Sequence, residues 1–146
     1  MVQPKNQVFI HLKTVINDTG ELEENEVKAA GSFYQRNNLD VLTYKEELEN
    51  AGEVNTLITI QPERVTIKRT GAVSMHQQFQ KEKLTENVYQ HPHGNIHMET
   101  FTNGILYRAP GEKQPGLLQL EYTMKLNGQN ERRHTLELLF TEEDSQ

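Results

Sequence analysis

Three of the six histidines lie close together in the sequence, at His91, His93 and His97. Histidine is the commonest metal ligand in proteins, so this spacing deserves a test as a metal site. The intervening Pro92 and Gly94 predict a hairpin turn, which would bring His91 and His97 near one another and leave His93 at the exposed tip. A zinc site needs three or four converging ligands, and the chain has no cysteine. We interpret the segment as a polar surface hairpin and predict no bound metal and no cofactor.

Arg69 is a cation in a position that favours burial. It has the same strand parity as Val65 and Ile67, which places it on the face expected to point into the core. Because arginine stays protonated at any ordinary pH, a half-buried guanidinium needs acceptors. One interpretation is an anchor for a ligand carboxylate or phosphate. The favoured one is a rim residue beside Gly71, paired with a carboxylate such as Glu46 or with backbone carbonyls.

Two tyrosines could share a site with Arg69. Tyr44 and Tyr122 each combine an apolar ring with a hydroxyl, and such residues either fill a protein interior or line a cavity in it. Filling is the commoner outcome. If a ligand does bind in the interior, the candidate ligand-binding residues are Arg69, Tyr44, Glu46 and Tyr122.

The sequence shows no catalytic constellation. Ser32, Ser74 and Ser145 have no nucleophile-elbow context, and there is no glycine-rich phosphate loop. The carboxylates are scattered, and no nucleophile, base and orienting residue can be grouped together. We therefore predict that the protein is not an enzyme.

Alternation of apolar and polar residues with period two predicts β-strands along most of the chain. The first segment places five residues on one face: Val8, Ile10, Leu12, Thr14 and Ile16. The segment 44–51 has a helix-favouring composition, but it is short and lacks an apolar stripe. We interpret it as the end of a strand followed by a loop.

Turn residues separate the predicted strands. Asn37–Asn38, Pro62 and Gly71 mark breaks, and Asn103–Gly104 and Asn127–Gly128 predict two-residue type I′ hairpins. About ten strands in sequence-neighbour order form an up-and-down meander. Such a sheet tends to close because closure removes exposed edges. We predict an all-β fold, a single antiparallel barrel of about eight to ten strands over 1–146, with frayed ends at 1–6 and 142–146.

Composition narrows the possible partners. The net charge is −6, which argues against a surface that coats nucleic-acid phosphates. The basic pairs Lys68–Arg69 and Arg132–Arg133 are interpreted as solvated faces. There is no apolar run near the roughly 20 residues of a membrane span, no recognisable signal segment and no cysteine. We expect a cytoplasmic protein with no nucleic-acid or membrane partner.

Four motifs carry a resemblance that covers nearly the whole chain. The most specific is Arg69-x-Gly71-Ala72-Val73-x-Met75-x-x-x-Phe79. The others are Val15-Ile16-x-Asp18-x-Gly20, Leu42-x-Tyr44-x-Glu46 and Tyr122-x-Met124. With them the chain resembles the YwiB-like family, small uncharacterised proteins of Gram-positive bacteria. The resemblance implies a lipocalin-like (calycin) barrel and implies no activity, since fold alone does not define function.

Three functions remain open at this point. The first is a binding protein that holds a small amphipathic or anionic ligand in the barrel interior, with Arg69 as the charged contact. The second is an interaction protein with a filled barrel, which acts through its outer surface or as a homodimer. The third and least favoured is a metalloenzyme at the histidine hairpin. The volume of the interior separates the first two.

Overall fold

The computed structural model describes residues 6–18, 20–49 and 52–142, and over these residues the chain forms strands and no helix. The ten strands are β1 (Asn6–Asp18), β2 (Glu21–Arg36), β3 (Leu39–Leu48), β4 (Gly52–Gln61), β5 (Arg64–Gly71), β6 (Met75–Gln80), β7 (Leu84–His91), β8 (Gly94–Arg108), β9 (Gly116–Leu126) and β10 (Arg132–Glu142). The described part of the chain therefore contains no helix that could cross a membrane.

All ten strands belong to one antiparallel sheet, in the order β6-β5-β4-β3-β2-β1-β10-β9-β8-β7. Consecutive strands pair in every case except β6 and β7, and the first strand pairs with the last from Val8–Glu142 to Asn17–Arg133. The sheet curls until its two edge strands, β6 and β7, meet. There Ser74 and Gln90 exchange two backbone hydrogen bonds of 2.9 and 2.7 Å. The predicted all-β meander is confirmed as a nearly closed barrel.

The inward face of the barrel carries the hydrophobic core, as the alternation predicts. Every second residue of a strand points inward, so each strand contributes one row of apolar side chains. The largest fully buried side chains come from six of the strands: Ile10, Leu42, Ile58, Phe79, Leu118, Leu120, Leu138 and Phe140. Phe33 and Phe140 meet across the interior with ring centroids 5.1 Å apart.

Most predicted breaks are found where turn residues stand. β5 ends at Gly71, whose φ of +114° suits glycine, and segment 44–48 is the end of β3. Asn127 and Gly128 both have positive φ, as a type I′ turn requires, although the ladder between β9 and β10 resumes only at Met124–Arg132. The predicted frayed ends at 1–6 and 142–146 are wrong for Asn6 and Glu142, which pair in β1 and β10 with Phe33 and Val8. The other residues of both ends, together with residues 19 and 50–51, lie outside the described residues.

The predicted hairpin at Asn103–Gly104 is wrong. Both residues lie inside β8, at a β-bulge between Thr102 and Gly104, and neither has positive φ. The strand continues because it has two partners: its first half pairs with β7 and its second half with β9. The extra residue shifts the inward positions from Thr102 to Ile105, which preserves the core pattern beyond the bulge.

Gly116 shows how tightly the core is packed at one end of the barrel. It lies directly opposite Phe140, and a Cβ atom at this position would overlap the phenyl ring. Gly104, in contrast, has no atom of another residue within 4 Å of where its Cβ would stand. The two glycines therefore provide a matched pair for testing the packing.

We expect Gly116→Ala to lower the free energy of unfolding by about 1–3 kcal/mol, because Phe140 must leave its place against Phe33. Gly104→Ala should leave the stability unchanged or slightly raised, since alanine fits and restricts the unfolded chain. Urea unfolding of the two variants and the parent measures both effects. Equal stability of the two variants would contradict the packing described for Phe140.

Candidate functional site

Arg69 lies at the rim of the barrel in an ion pair with Glu46. Its Nη2 donates to Oε1 of Glu46 at 3.1 Å, and the two side chains are 21% and 19% exposed. Arg69 comes from β5 and Glu46 from β3, on either side of β4. On β4, the inward-facing Thr56 lies opposite Arg69 and Val54 lies opposite Glu46. This is the rim arrangement favoured from the sequence, including the partner named for it.

Tyr44 belongs to the same cluster and is part of the core. It precedes Glu46 by two residues on β3, faces inward and is 6% exposed. Burial raises the pKa of its hydroxyl, and the neighbouring Glu46 carboxylate adds to the rise. Tyr44 is therefore a neutral residue that fills the interior beside the ion pair.

Tyr122 packs in the core through a different set of contacts. Its ring stacks on His134 of β10, with centroids 5.0 Å apart, and meets Phe79 edge-on at 4.8 Å. Burial raises the pKa of its phenol. Of the four candidate ligand-binding residues, the structure thus joins Arg69, Glu46 and Tyr44, while the ring contacts of Tyr122 belong to the packing between β6, β9 and β10.

His134 is a buried histidine that the sequence analysis passed over. It is 8% exposed, and within the described chain its Nε2 has no hydrogen-bond partner. Burial, reinforced by the charge of Arg132 and opposed by that of Glu23, lowers its pKa from 6.5 to about 4. The period-two pattern signals this residue, since His134 has the parity of Leu136 and Leu138.

The histidine hairpin is confirmed as an exposed turn, but the expected approach of His91 to His97 is wrong. β7 ends at His91, opposite Gly94, whereas His97 lies opposite Val88. The turn is centred on Pro92 and His93, so the two histidines are offset by about 10 Å along the hairpin. Over the described residues, no group of three or more histidine, cysteine, aspartate or glutamate side chains is arranged to hold a metal ion.

A concave surface lies on the outer wall, and of the four candidate ligand-binding residues Tyr44 alone contributes to its lining. This outer groove has a volume of about 570 Å³ and spans the outward face from β1 to β5. The residues that matter for its chemistry are Ala30, Ser32, Thr43, Lys45, Leu57 and Lys68. Its volume falls in the range of sites for small organic molecules, roughly 300–1,000 Å³.

The groove forms where β2 and β3 separate. Their ladder ends at Gly31–Tyr44, although β2 starts ten residues earlier and β3 runs on to Leu48. Gly31 permits this geometry, because a Cβ there would overlap the carbonyl oxygen of Thr43 and the side chain of Ile10. The outer wall is therefore indented next to the last paired residues.

The lining of the outer groove is basic, in a chain with a net charge of −6. Lys45 and Lys68 both border it, both are exposed, and no aspartate or glutamate contributes to it. Neither lysine has an ion-pair partner among the described residues. From the sequence, Lys68 was expected to be half of a solvated basic pair; the outward parity of Lys45 and Lys68 is the signal that places them on one face of the sheet.

Fold and surface together define a class: a nearly closed ten-stranded antiparallel barrel with a packed interior and an indented outer wall. The chain matches the model of the family described as Domain of unknown function (DUF1934) over residues 10–138, and it belongs to this family. It is 27% identical over 139 residues to the "Uncharacterized beta-barrel protein YwiB" of Bacillus subtilis (strain 168), which covers 95% of this chain and 96% of that protein.

The crystal structure of the ywiB protein from Bacillus subtilis has a similar fold. The TM-score is 0.86 at 26% sequence identity, and the superposition covers 98% of this chain and 96% of the other. The resemblance found in the four sequence motifs is thereby confirmed. These comparisons describe a β-barrel family and assign it no ligand.

Replacement of Arg69 tests the rim ion pair. We expect Arg69→Ala to destabilise the protein by about 1.5–3 kcal/mol, because the half-buried Glu46 carboxylate loses its charged donor. Arg133→Ala, which removes an exposed arginine on β10, should change stability by less than about 0.5 kcal/mol. If chemical denaturation gave the same midpoint for Arg69→Ala and the parent, Arg69 would not have this structural role.

The low pKa of His134 predicts a loss of stability in acid. Between pH 6.5 and about 4 the unfolded histidine binds a proton that the folded one excludes, so stability falls as the pH is lowered through this window. The loss is on the order of 2–3 kcal/mol. His134→Gln should flatten the pH dependence of the unfolding free energy, whereas His76→Gln, at an exposed position on β6, should preserve it. An unaltered slope in His134→Gln would contradict this origin.

Proposed function

We propose that this protein is a non-catalytic binding protein whose outer groove holds a small, partly apolar anion. The observation that carries the proposal is the presence of two lysines, Lys45 and Lys68, in the lining of a concave surface that contains Ala30 and Leu57 and no carboxylate. An ammonium pair selects a negative group, and the apolar floor favours a ligand with a hydrocarbon part.

The packing of the interior favours a ligand site on the outer wall over one in the barrel lumen. Arg69, the cation expected to meet a ligand inside, already has a carboxylate partner in Glu46. Tyr44 and Tyr122 belong to the continuous core cluster, together with fully buried residues such as Phe79 and Leu120. A ligand in the lumen would have to displace these side chains, whereas the outer groove is already open.

Electrostatics also favours a ligand site in the outer groove. The carboxylates of an acidic chain repel anions in general, so a local pair of unneutralised lysines is the place where an anion gains most. Exposed charges are screened by salt, and the attraction should weaken as ionic strength rises. A nucleic acid needs many such contacts along its backbone and is a poor match for two lysines.

The cellular compartment of the protein stays an expectation from the sequence. A chain without cysteine suits a reducing compartment, which agrees with a cytoplasmic protein. A relation to the calycins, and a homodimer, stay predictions from the sequence. The proposal for the outer groove depends on neither.

Titration with octanoate tests the proposed function. We expect octanoate to bind the parent protein, and the double variant Lys45→Gln/Lys68→Gln to bind it at least about tenfold more weakly, a loss near 1.4 kcal/mol. Octanol, which lacks the charge, should bind the parent and the double variant equally. Lys125→Gln, an exposed lysine on the outer wall of β9, should retain the affinity of the parent for octanoate.

Amide chemical shifts locate the ligand independently of the variants. Shifts confined to the strands around Thr43, Lys45 and Leu57 agree with the proposal. Shifts centred on Tyr122 and Thr100 would instead place the ligand in the lumen and overturn it. Absence of octanoate binding, or equal affinity in the double variant, would also overturn it.

A further inference from the structure

A second concave surface continues the outer groove across β2, β1 and β10. This side groove has a volume of about 600 Å³, and its outward residues are Phe9, His11, Lys28, Ala30, Leu139 and Thr141. Ala30 lines both grooves, so the two surfaces meet at this residue. Together they form a depression that crosses six strands, from β10 to β5.

The side groove is the apolar part of this depression. Phe9 points outward from the middle of the sheet with 54% of its surface exposed, and it lies opposite Ala30 on one side and Thr141 on the other. Leu139 follows on β10, opposite His11. The exposed ring of Phe9 therefore lies on a central strand next to Leu139 and Ala30. Covering this apolar surface with a hydrocarbon lowers the free energy.

The charges are arranged asymmetrically along the depression. Lys45 and Lys68 stand at one end without a carboxylate in the lining. At the other end His11 is already bound to Glu26, with 2.6 Å between Nε2 and Oε2, and Lys28, the other cation of the side groove, interacts with the same carboxylate. A negative group is therefore favoured at the lysine end, and the apolar surface begins at Ala30. Lys45 and Phe9 lie on strands separated by β2.

Rows of carboxylates outside the depression restrict what can occupy it. Glu24 and Glu26 follow Lys28 on the outward row of β2, and Glu47 and Glu53 lie opposite one another beyond Lys45. A flat anionic surface such as a membrane would press against these glutamates. A single chain lying in the depression avoids them.

We propose that the two grooves hold one long-chain amphiphile, with its anionic head group at Lys45 and Lys68 and its alkyl chain over Ala30, Phe9 and Leu139. This inference rests on the proposed function and adds the length of the ligand. The chemical class is a single-chain carboxylate with a hydrocarbon tail longer than the outer groove alone can cover.

Chain length is the variable that tests the proposal. Octanoate, dodecanoate and hexadecanoate are titrated below the concentrations at which they aggregate. For the parent protein we expect the affinity to rise at least about tenfold from octanoate to dodecanoate and again to hexadecanoate, because each added methylene covers more of the side groove. Lys45→Gln/Lys68→Gln should weaken binding of all three.

Variants of the side groove separate this inference from the proposed function. Phe9→Ser and Leu139→Thr should remove most of the gain with chain length and leave octanoate binding unchanged. Phe101→Ser, at an exposed phenylalanine on the outer wall of β8, should keep the full chain-length dependence. The melting temperature of each variant shows whether it is folded. Phe9→Ser and Leu139→Thr test the role of the side groove independently of one another.

Four results would overturn the inference. If affinity did not depend on chain length, or if Phe9→Ser and Leu139→Thr kept the full gain, the ligand would end within the outer groove and the proposed function would stand alone. If the protein cosedimented with phosphatidylcholine vesicles containing phosphatidylglycerol as strongly as it bound hexadecanoate, the partner would be a membrane surface. If no carboxylate bound, the proposed function would fail as well.

Discussion

Pairing of the first strand with the last is the interaction on which the rest of the structure depends. The β1–β10 ladder joins the two ends of the chain in the middle of the sheet and moves the sheet edges to β6 and β7, which are neighbours in sequence. These edges then meet through the backbone bridge between Ser74 and Gln90, and the Thr85 hydroxyl of β7 donates to the carbonyl oxygen of Gln78 on β6. All inward side chains consequently share one enclosed core.

Ten strands close into a barrel whose interior is filled by side chains. For the titratable residues that point inward, this has two local consequences. At the rim, inward positions come near solvent, and an ion pair can occupy them: Arg69 and Glu46 keep partial access to water and satisfy one another. Deeper in, the same inward parity forces His134 into the core, where the neutral ring stacks on Tyr122. Burial thus disfavours the charged form of His134, whereas the Arg69 guanidinium has a carboxylate beside it.

The shape of the outer wall follows from the path of its strands. β2 is too long to pair with β3 along its whole length, and the two strands separate beyond Gly31 and Tyr44. The outward side chains on either side of this separation, Ala30 and Lys45, then border a depression rather than a flat sheet. A binding surface on a filled barrel can therefore arise from strand divergence, without an internal cavity.

The sequence by itself determined the strands, their inward faces and most of the turns, because a period-two pattern and residues such as Pro62 and Gly71 act locally. It also named Glu46 as one of the acceptors that Arg69 could take, beside backbone carbonyls. It could not determine that Asn103–Gly104 forms a bulge, because a continuous β8 is stabilised by two neighbouring strands that the local sequence does not reveal. Nor could it show the grooves, since Lys45, Lys68 and Phe9 come from three strands whose outward positions look like ordinary solvated residues. Only the register of β1 to β5 and the separation of β2 from β3 beyond Gly31 and Tyr44 bring them to one surface, and both are properties of the folded sheet.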